Sequence, residues 1–199
     1  DFFAGPGRDV AGLPGSPLRL LRVLREYSEG IRDEGVSVHL LLNEASNRKA
    51  AALRSVMEEQ QIPDTLCRWS VTNASFEEAF AAAQDELLSG PNLLVLDQQG
   101  VKDISDGTIQ QILAIPRTDF IFFVASSSLR RFANHPAFEP HLKVDKGRLS
   151  TSTWNDIHRD VAEHYRSLAR SGGHTCFIGR ISLKKGSNIY GLIFGSRHP

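Results

Sequence analysis

Four times in the first 125 residues a β-rich segment gives way to a helical one, with a fifth β-rich run closing the series, and this alternation restricts the fold more than any other feature. Residues 1–3 read as the end of a strand, and residues 36–42, 66–71, 92–96 and 119–125 are further β-rich runs. Between them, residues 16–34, 47–61, 75–88 and 108–114 carry apolar side chains at helical spacing. Strands that alternate with helices lie parallel, in a sheet covered on both faces. A last helix over residues 153–171 precedes two β-rich runs, 174–183 and 188–197, joined by Lys184-Lys185-Gly186-Ser187 as a hairpin. The expected architecture is α/β, a mostly parallel sheet with a C-terminal antiparallel hairpin.

Local signals place the helices. Ser16-Pro17 offers an N-cap hydroxyl followed by a proline at the first helical position. Leu18, Leu21, Leu24 and Ile31 continue as one stripe toward Glu34, and Gly35 stops it. Ala51, Leu53 and Val56 mark the inner face of the next helix, and Ser75 is read as the N-cap of the one after. Phe120, Phe122 and Phe123 make the fifth strand look buried on both faces. Trp154, Ile157, Val161 and Tyr165 share one side of the last long helix. Residues 129–134 read as a short helix, and the irregular stretch 136–152 as a lid. The chain is expected to form one domain over residues 1–199, of a length that buries a sizeable core. Residues 1–3 are too few for a central strand, so further residues are expected upstream of Asp1.

Hydrophobic residues make up 41% and charged residues 23%, values of a soluble globular protein. No apolar run is long enough to cross a membrane. No basic-then-apolar leader is seen. Two cysteines, Cys67 and Cys176, are too few for a zinc site and fit a reducing, cytoplasmic compartment. Neither His135 with His141 nor His158 with His164 has the i, i+4 spacing of a helical metal pair, so no metal is expected. Twenty-three basic residues balance twenty-three acidic ones, which argues against a protein that coats nucleic acid, although local patches remain open as contacts. Arg130-Arg131, Lys184-Lys185 and the group Arg48, Lys49, Arg54 are the candidates, each more simply read as a solvated face.

The turn Ala4-Gly5-Pro6-Gly7 leaves the first strand. Glycines there let a ligand approach the backbone, because no Cβ stands in the way. A G-x-G-x-x-G dinucleotide turn would place a small residue at the third position and open its helix at once. Here that position is Val10 and the helix waits until Ser16-Pro17, so pyrophosphate is the weaker ligand. Glu44 ends the second strand, where a carboxylate accepts from ribose hydroxyls. Asn73 follows the third strand, as a ligand contact or an Asx turn. Asp97-Gln98-Gln99-Gly100 follows the fourth.

Asp1-Phe2-Phe3-Ala4-Gly5-Pro6-Gly7 resembles the methyltransferase pattern D-x-F-x-G-x-G, matching at Asp1, Phe3, Gly5 and Gly7. The hairpin after five parallel strands is also the ending of class I methyltransferases, so the expected fold is Rossmann-like and of that class. The resemblance implies S-adenosylmethionine as cofactor. Gly5 and Gly7 would admit it, Asp1 would hold its ammonium group, Glu44 its ribose, and Asn73 would lie by its adenine. Asp97 would be the catalytic residue facing the methyl acceptor. Enzymes that methylate exocyclic amines carry D/N-P-P-aromatic at this place, and Gln98 and Gly100 depart from it.

The opening Asp-Phe-Phe-Ala-Gly-Pro-Gly-Arg, Gly15-Ser16-Pro17-Leu18, Asn43-Glu44, Asp97-x-x-Gly100 and Ile189-Tyr190-Gly191-Leu192-Ile193-Phe194 together resemble the three-Cys-motif partner family along nearly the whole chain. That resemblance implies a bacterial protein with a methyltransferase-like domain and a three-Cys-motif protein as its partner. The expected function is S-adenosylmethionine-dependent methyl transfer to an acceptor that the sequence does not identify, nucleic acid among the candidates. A non-catalytic module that keeps the fold and works through its partner is the alternative, favoured by the altered block after Asp97.

Overall fold

The computed structural model describes residues 1–98, 104–124, 157–186 and 188–197. The expected helix at 129–134, the lid at 136–152, Trp154, and Gln99 and Gly100 lie outside them. The chain divides into two compact units, Asp1–Ala83 and Gln84–Pro199.

In the first unit the order is α1 (Ser16–Glu26), α2 (Ser28–Asp33), β1 (His39–Asn43), α3 (Asn47–Glu58), β2 (Arg68–Thr72) and α4 (Phe76–Ala82). Strands β1 and β2 pair in parallel, with Leu41 opposite Ser70. Asp1 extends this pairing. Its backbone nitrogen donates to Leu41 O at 2.8 Å, and Asn43 N–H donates to Asp1 O at 2.9 Å. Two such bonds around one residue are those of a parallel ladder, so Asp1 lies along β1 on the side opposite β2. The chain turns away at once, with Ala4 N–H on Asn43 O at 2.9 Å. The expected first strand is thus present as a single ladder position.

The helix expected over 16–34 is two helices, broken at Tyr27, whose backbone (φ −103°, ψ 15°) leaves the helical range. Gly35, at φ +64°, ends the second as expected. The N-cap of α1 is Gly15 rather than Ser16, and Pro17 occupies the first turn. Ser75 does cap α4, in a full capping box with Glu78. The core of this unit gathers Ala4, Leu18, Leu42, Leu53 and Met57, with Leu21, Leu66 and Cys67 in a second cluster. Helix α3 buries Ala50, Leu53 and Met57; of the expected face Leu53 is buried, Val56 half-buried against the core and Ala51 exposed. Phe2 packs edge-on against Phe76 and Phe80 of α4, with centroids at 5.6 and 5.7 Å.

The second unit holds α5 (Gln84–Ser89), β3 (Asn92–Leu96), α6 (Asp106–Ala114), β4 (Thr118–Val124), α7 (Ile157–Ser171), β5 (Phe177–Lys185) and β6 (Asn188–Ser196). Its sheet has the order β3-β4-β6-β5. β3 and β4 are parallel, β6 inserts antiparallel beside β4, and β5 closes the edge antiparallel to β6. The expected antiparallel ending is therefore present. Along β4 fully buried residues alternate with half-buried ones, so Phe120 and Phe122 point into the core while Phe123 stacks on Tyr190 at the other face. Tyr165 of α7 meets Phe122 edge-on. His158 is buried with Nε2 2.7 Å from Ser182 Oγ, and His164 pairs with Asp106 at 2.9 Å. No described helix is long and apolar enough to cross a membrane. Cys67 and Cys176 are free thiols.

Candidate functional site

Five of the six residues singled out in the sequence belong to the first unit. Asp1, Gly5, Gly7, Glu44 and Asn73 all sit at or just beyond the carboxyl ends of the Asp1 segment, β1 and β2. Ligands of open α/β sheets bind at that edge.

The loops there are laced together by two asparagines. Asn43 is buried, its Nδ2 donates to Phe2 O and Ala74 O, both at 3.2 Å, and its Oδ1 accepts from Ala74 N–H at 3.3 Å. Asn73 Nδ2 donates to Glu44 O at 2.8 Å and to Ala45 O at 3.0 Å. The turns after the Asp1 segment, β1 and β2 thereby hold one another. Asn43 was not singled out as a site residue. Its one signal in the sequence is a polar side chain closing an apolar strand. Asn73 spends both amide hydrogens on these struts and leaves Oδ1 as its acceptor.

Gly5 and Gly7 do different work. Both sit at positive φ, +64° and +82°, where side chains are strained. A Cβ on Gly5 would meet nothing within 4 Å, so the space beside it is open. A Cβ on Gly7 would lie 3.0 Å from Val56 Cγ1 and 3.3 Å from Leu53 Cδ1. The positive φ and the close approach of α3 together favour glycine at position 7, with no ligand involved.

Both carboxylates are partly engaged. Asp1 Oδ2 accepts from Ser16 Oγ at 2.6 Å and Oδ1 from Phe3 N–H at 3.0 Å. Glu44 Oε1 accepts from Ser46 N–H at 2.8 Å, which steadies the side chain at the start of α3. Its Oε2 takes no hydrogen bond among the described residues. A carboxylate held by one oxygen with the other available is what a ribose diol needs.

Asp97 belongs to the second unit, at the end of β3. It is exposed, yet partial desolvation raises its carboxyl pKa above the ordinary value. Gln98 beside it is buried, at 2% exposure, and neither amide atom has a hydrogen-bond partner among the described residues. Also among the described residues, no three His, Cys, Asp or Glu side chains gather where they could hold a metal ion.

No model of a known protein family matches the chain. No curated protein matches it either. One solved structure similar to it is described as the methyltransferase domain of bacterial CtHen1, at 7% identity and a TM-score of 0.45, covering 87% of this chain and 96% of that one. A likeness this loose fixes neither activity nor ligand. The resemblance to the three-Cys-motif partner family rests on the quoted sequence blocks alone.

Proposed function

We propose that the chain binds S-adenosylmethionine at the carboxyl edge of the first unit and transfers its methyl group to an acceptor. The observation that carries this reading is Glu44, steadied through Oε1 by Ser46 N–H and laced by Asn73 to the next loop. The open space beside Gly5 supports it, and the helix start at Ser16 disfavours pyrophosphate.

In this reading Glu44 Oε2 accepts from the ribose hydroxyls, Asn73 Oδ1 faces the adenine, and Asp1 takes the ammonium group on lone pairs that Ser16 and Phe3 leave. Gly5 gives the cofactor room, and Gly7 holds the loop in shape. The bound cofactor supplies an electrophilic methyl group. Asp97, just after β3 of the second unit, is kept as the acceptor-side residue on the sequence resemblance alone. The single methyltransferase-like domain, a reducing cytoplasmic setting and a three-Cys-motif partner are parts of the same proposal.

Gln98 favours a second reading, a module that binds the cofactor without turnover. Where amine methyltransferases have proline, this chain buries an amide that has no hydrogen-bond partner among the described residues. Titration calorimetry with S-adenosylmethionine tests the first part of the proposal. Transfer of labelled methyl groups to DNA, RNA and protein then separates enzyme from module, since binding without transfer is the module's signature.

A further inference from the structure

The loop between Gly7 and Gly15 is closed by its own hydrogen bonds and yet presents an apolar tip to water. Gly15 N–H donates to Gly7 O at 2.8 Å, and Arg8 and Pro14 form a bridge. Asp9 N–H reaches Leu13 O, while Asp9 Oδ1 accepts from Ala11 and Leu13 N–H at 2.9 and 2.8 Å. A loop so satisfied keeps its shape. Its tip is Val10, fully exposed at 109%, followed by Leu13 at 58%. Apolar side chains held in water on a loop fixed by its own hydrogen bonds are available for contact.

Two arginines flank that tip, each anchored by one donor to the loop's own backbone. Arg8 Nη1 donates to Gly12 O at 3.2 Å and Arg19 Nε to Pro14 O at 2.9 Å. The remaining guanidinium hydrogens have no partner among the described residues, and both side chains are exposed. Between Gly5 and Arg25 stand four arginines (positions 8, 19, 22 and 25) and one acid, Asp9, in a chain whose total charge is zero. Pre-set guanidinium forks match phosphate oxygens, and an apolar side chain between them meets base faces or edges.

We propose that the Gly7–Gly15 loop is a nucleic-acid docking element, with Arg8 and Arg19 on successive phosphates of a single strand and Val10 against a base. That this strand is the methyl acceptor rests on the function proposed above. The docking itself needs no cofactor.

Fluorescence anisotropy of a labelled mixed-sequence 20-nucleotide single strand, across a salt series without S-adenosylmethionine, tests it on the full chain. Arg8→Gln with Arg19→Gln should lower the slope of log K against log salt by roughly 1.4, two phosphates at about 0.7 each. Val10→Ser should weaken binding by roughly tenfold at an unchanged slope. Val10 touches nothing that holds the loop, so this variant folds. Arg170→Gln on α7 should change neither. The proposal falls if the wild-type chain does not bind the strand, if the slope survives loss of both arginines, or if Val10→Ser binds normally, which would leave only a polyanion-binding patch. Strand binding by a chain that fails to bind S-adenosylmethionine would keep the docking element and remove the methyl-transfer reading.

Discussion

The hydroxyl of Ser16 donates to Oδ2 of Asp1 at 2.6 Å, fastening the start of α1 to the segment that lies along β1. The sequence suggests that this serine caps its helix, but Gly15 is the N-cap and Ser16 works across fifteen residues instead. Ser16→Ala should therefore leave the helix content by circular dichroism intact. It should still destabilise the chain by roughly 1.5–2 kcal/mol, the worth of a charge-assisted, half-buried hydrogen bond. That appears as a fall in Tm of about 3–8 °C for a chain of this size. An unchanged Tm would mean that the contact contributes nothing.

Asn43 ties three loops with one buried amide, and its removal strands Phe2 O, Ala74 O and Ala74 N–H. Asn43→Ala should cost about 3 kcal/mol or more in urea unfolding, well above the loss from the less buried Asn73→Ala. Equal losses would contradict the ranking by burial.

The two glycines of the opening turn should separate folding from binding. Gly7→Ala meets Val56 and Leu53 at a positive φ and should destabilise by roughly 2–4 kcal/mol. Gly5→Ala has open space and should cost only about 1–2 kcal/mol of backbone strain. It should nonetheless weaken S-adenosylmethionine, because the new methyl group enters the proposed site. If Gly5→Ala binds the cofactor normally, the open space beside Gly5 is not where it sits.

Desolvation holds the Asp97 carboxyl above its ordinary pKa. The folded chain then binds a proton at this group more readily than the unfolded one, so its contribution to stability is present at acidic pH. That contribution is lost as pH rises through the folded pKa. Asp97→Asn should therefore gain in Tm relative to the wild type as the pH goes from about 4 to 7. A difference that stays flat or shrinks over that range would show that the group is not desolvated in solution.

The sequence reads most faithfully where a signal is local. Asn92–Leu96 is a strand over the expected residues, Ser75 caps its helix, and the terminal hairpin is antiparallel. The break at Tyr27 has no local cause, since no Gly or Pro stands there and the apolar stripe from Leu24 to Ile31 runs through it. Likewise the helix expected over 75–88 is interrupted at Ala83, where the boundary between the two units falls. In the site, the positions of Gly5, Glu44 and Asn73 beyond strand ends were legible because strand ends are. The struts of Asn43 and the partner of Ser16 were not, because hydrogen bonds between residues 15 to 41 apart leave no periodicity in the sequence.

Glu44 bears the central claim, and calorimetry of S-adenosylmethionine against the wild type, Glu44→Ala and Glu44→Gln tests it most directly. Both variants lose the carboxylate, but Gln keeps an oxygen for Ser46 N–H and so preserves the loop. The expected result is binding by the wild type that weakens about ten- to a hundredfold in both variants, the roughly 1.5–3 kcal/mol of a charge-assisted hydrogen bond to the ribose. Wild-type binding that neither variant changes would contradict the assignment of Glu44, and no binding by the wild type would contradict the cofactor site itself.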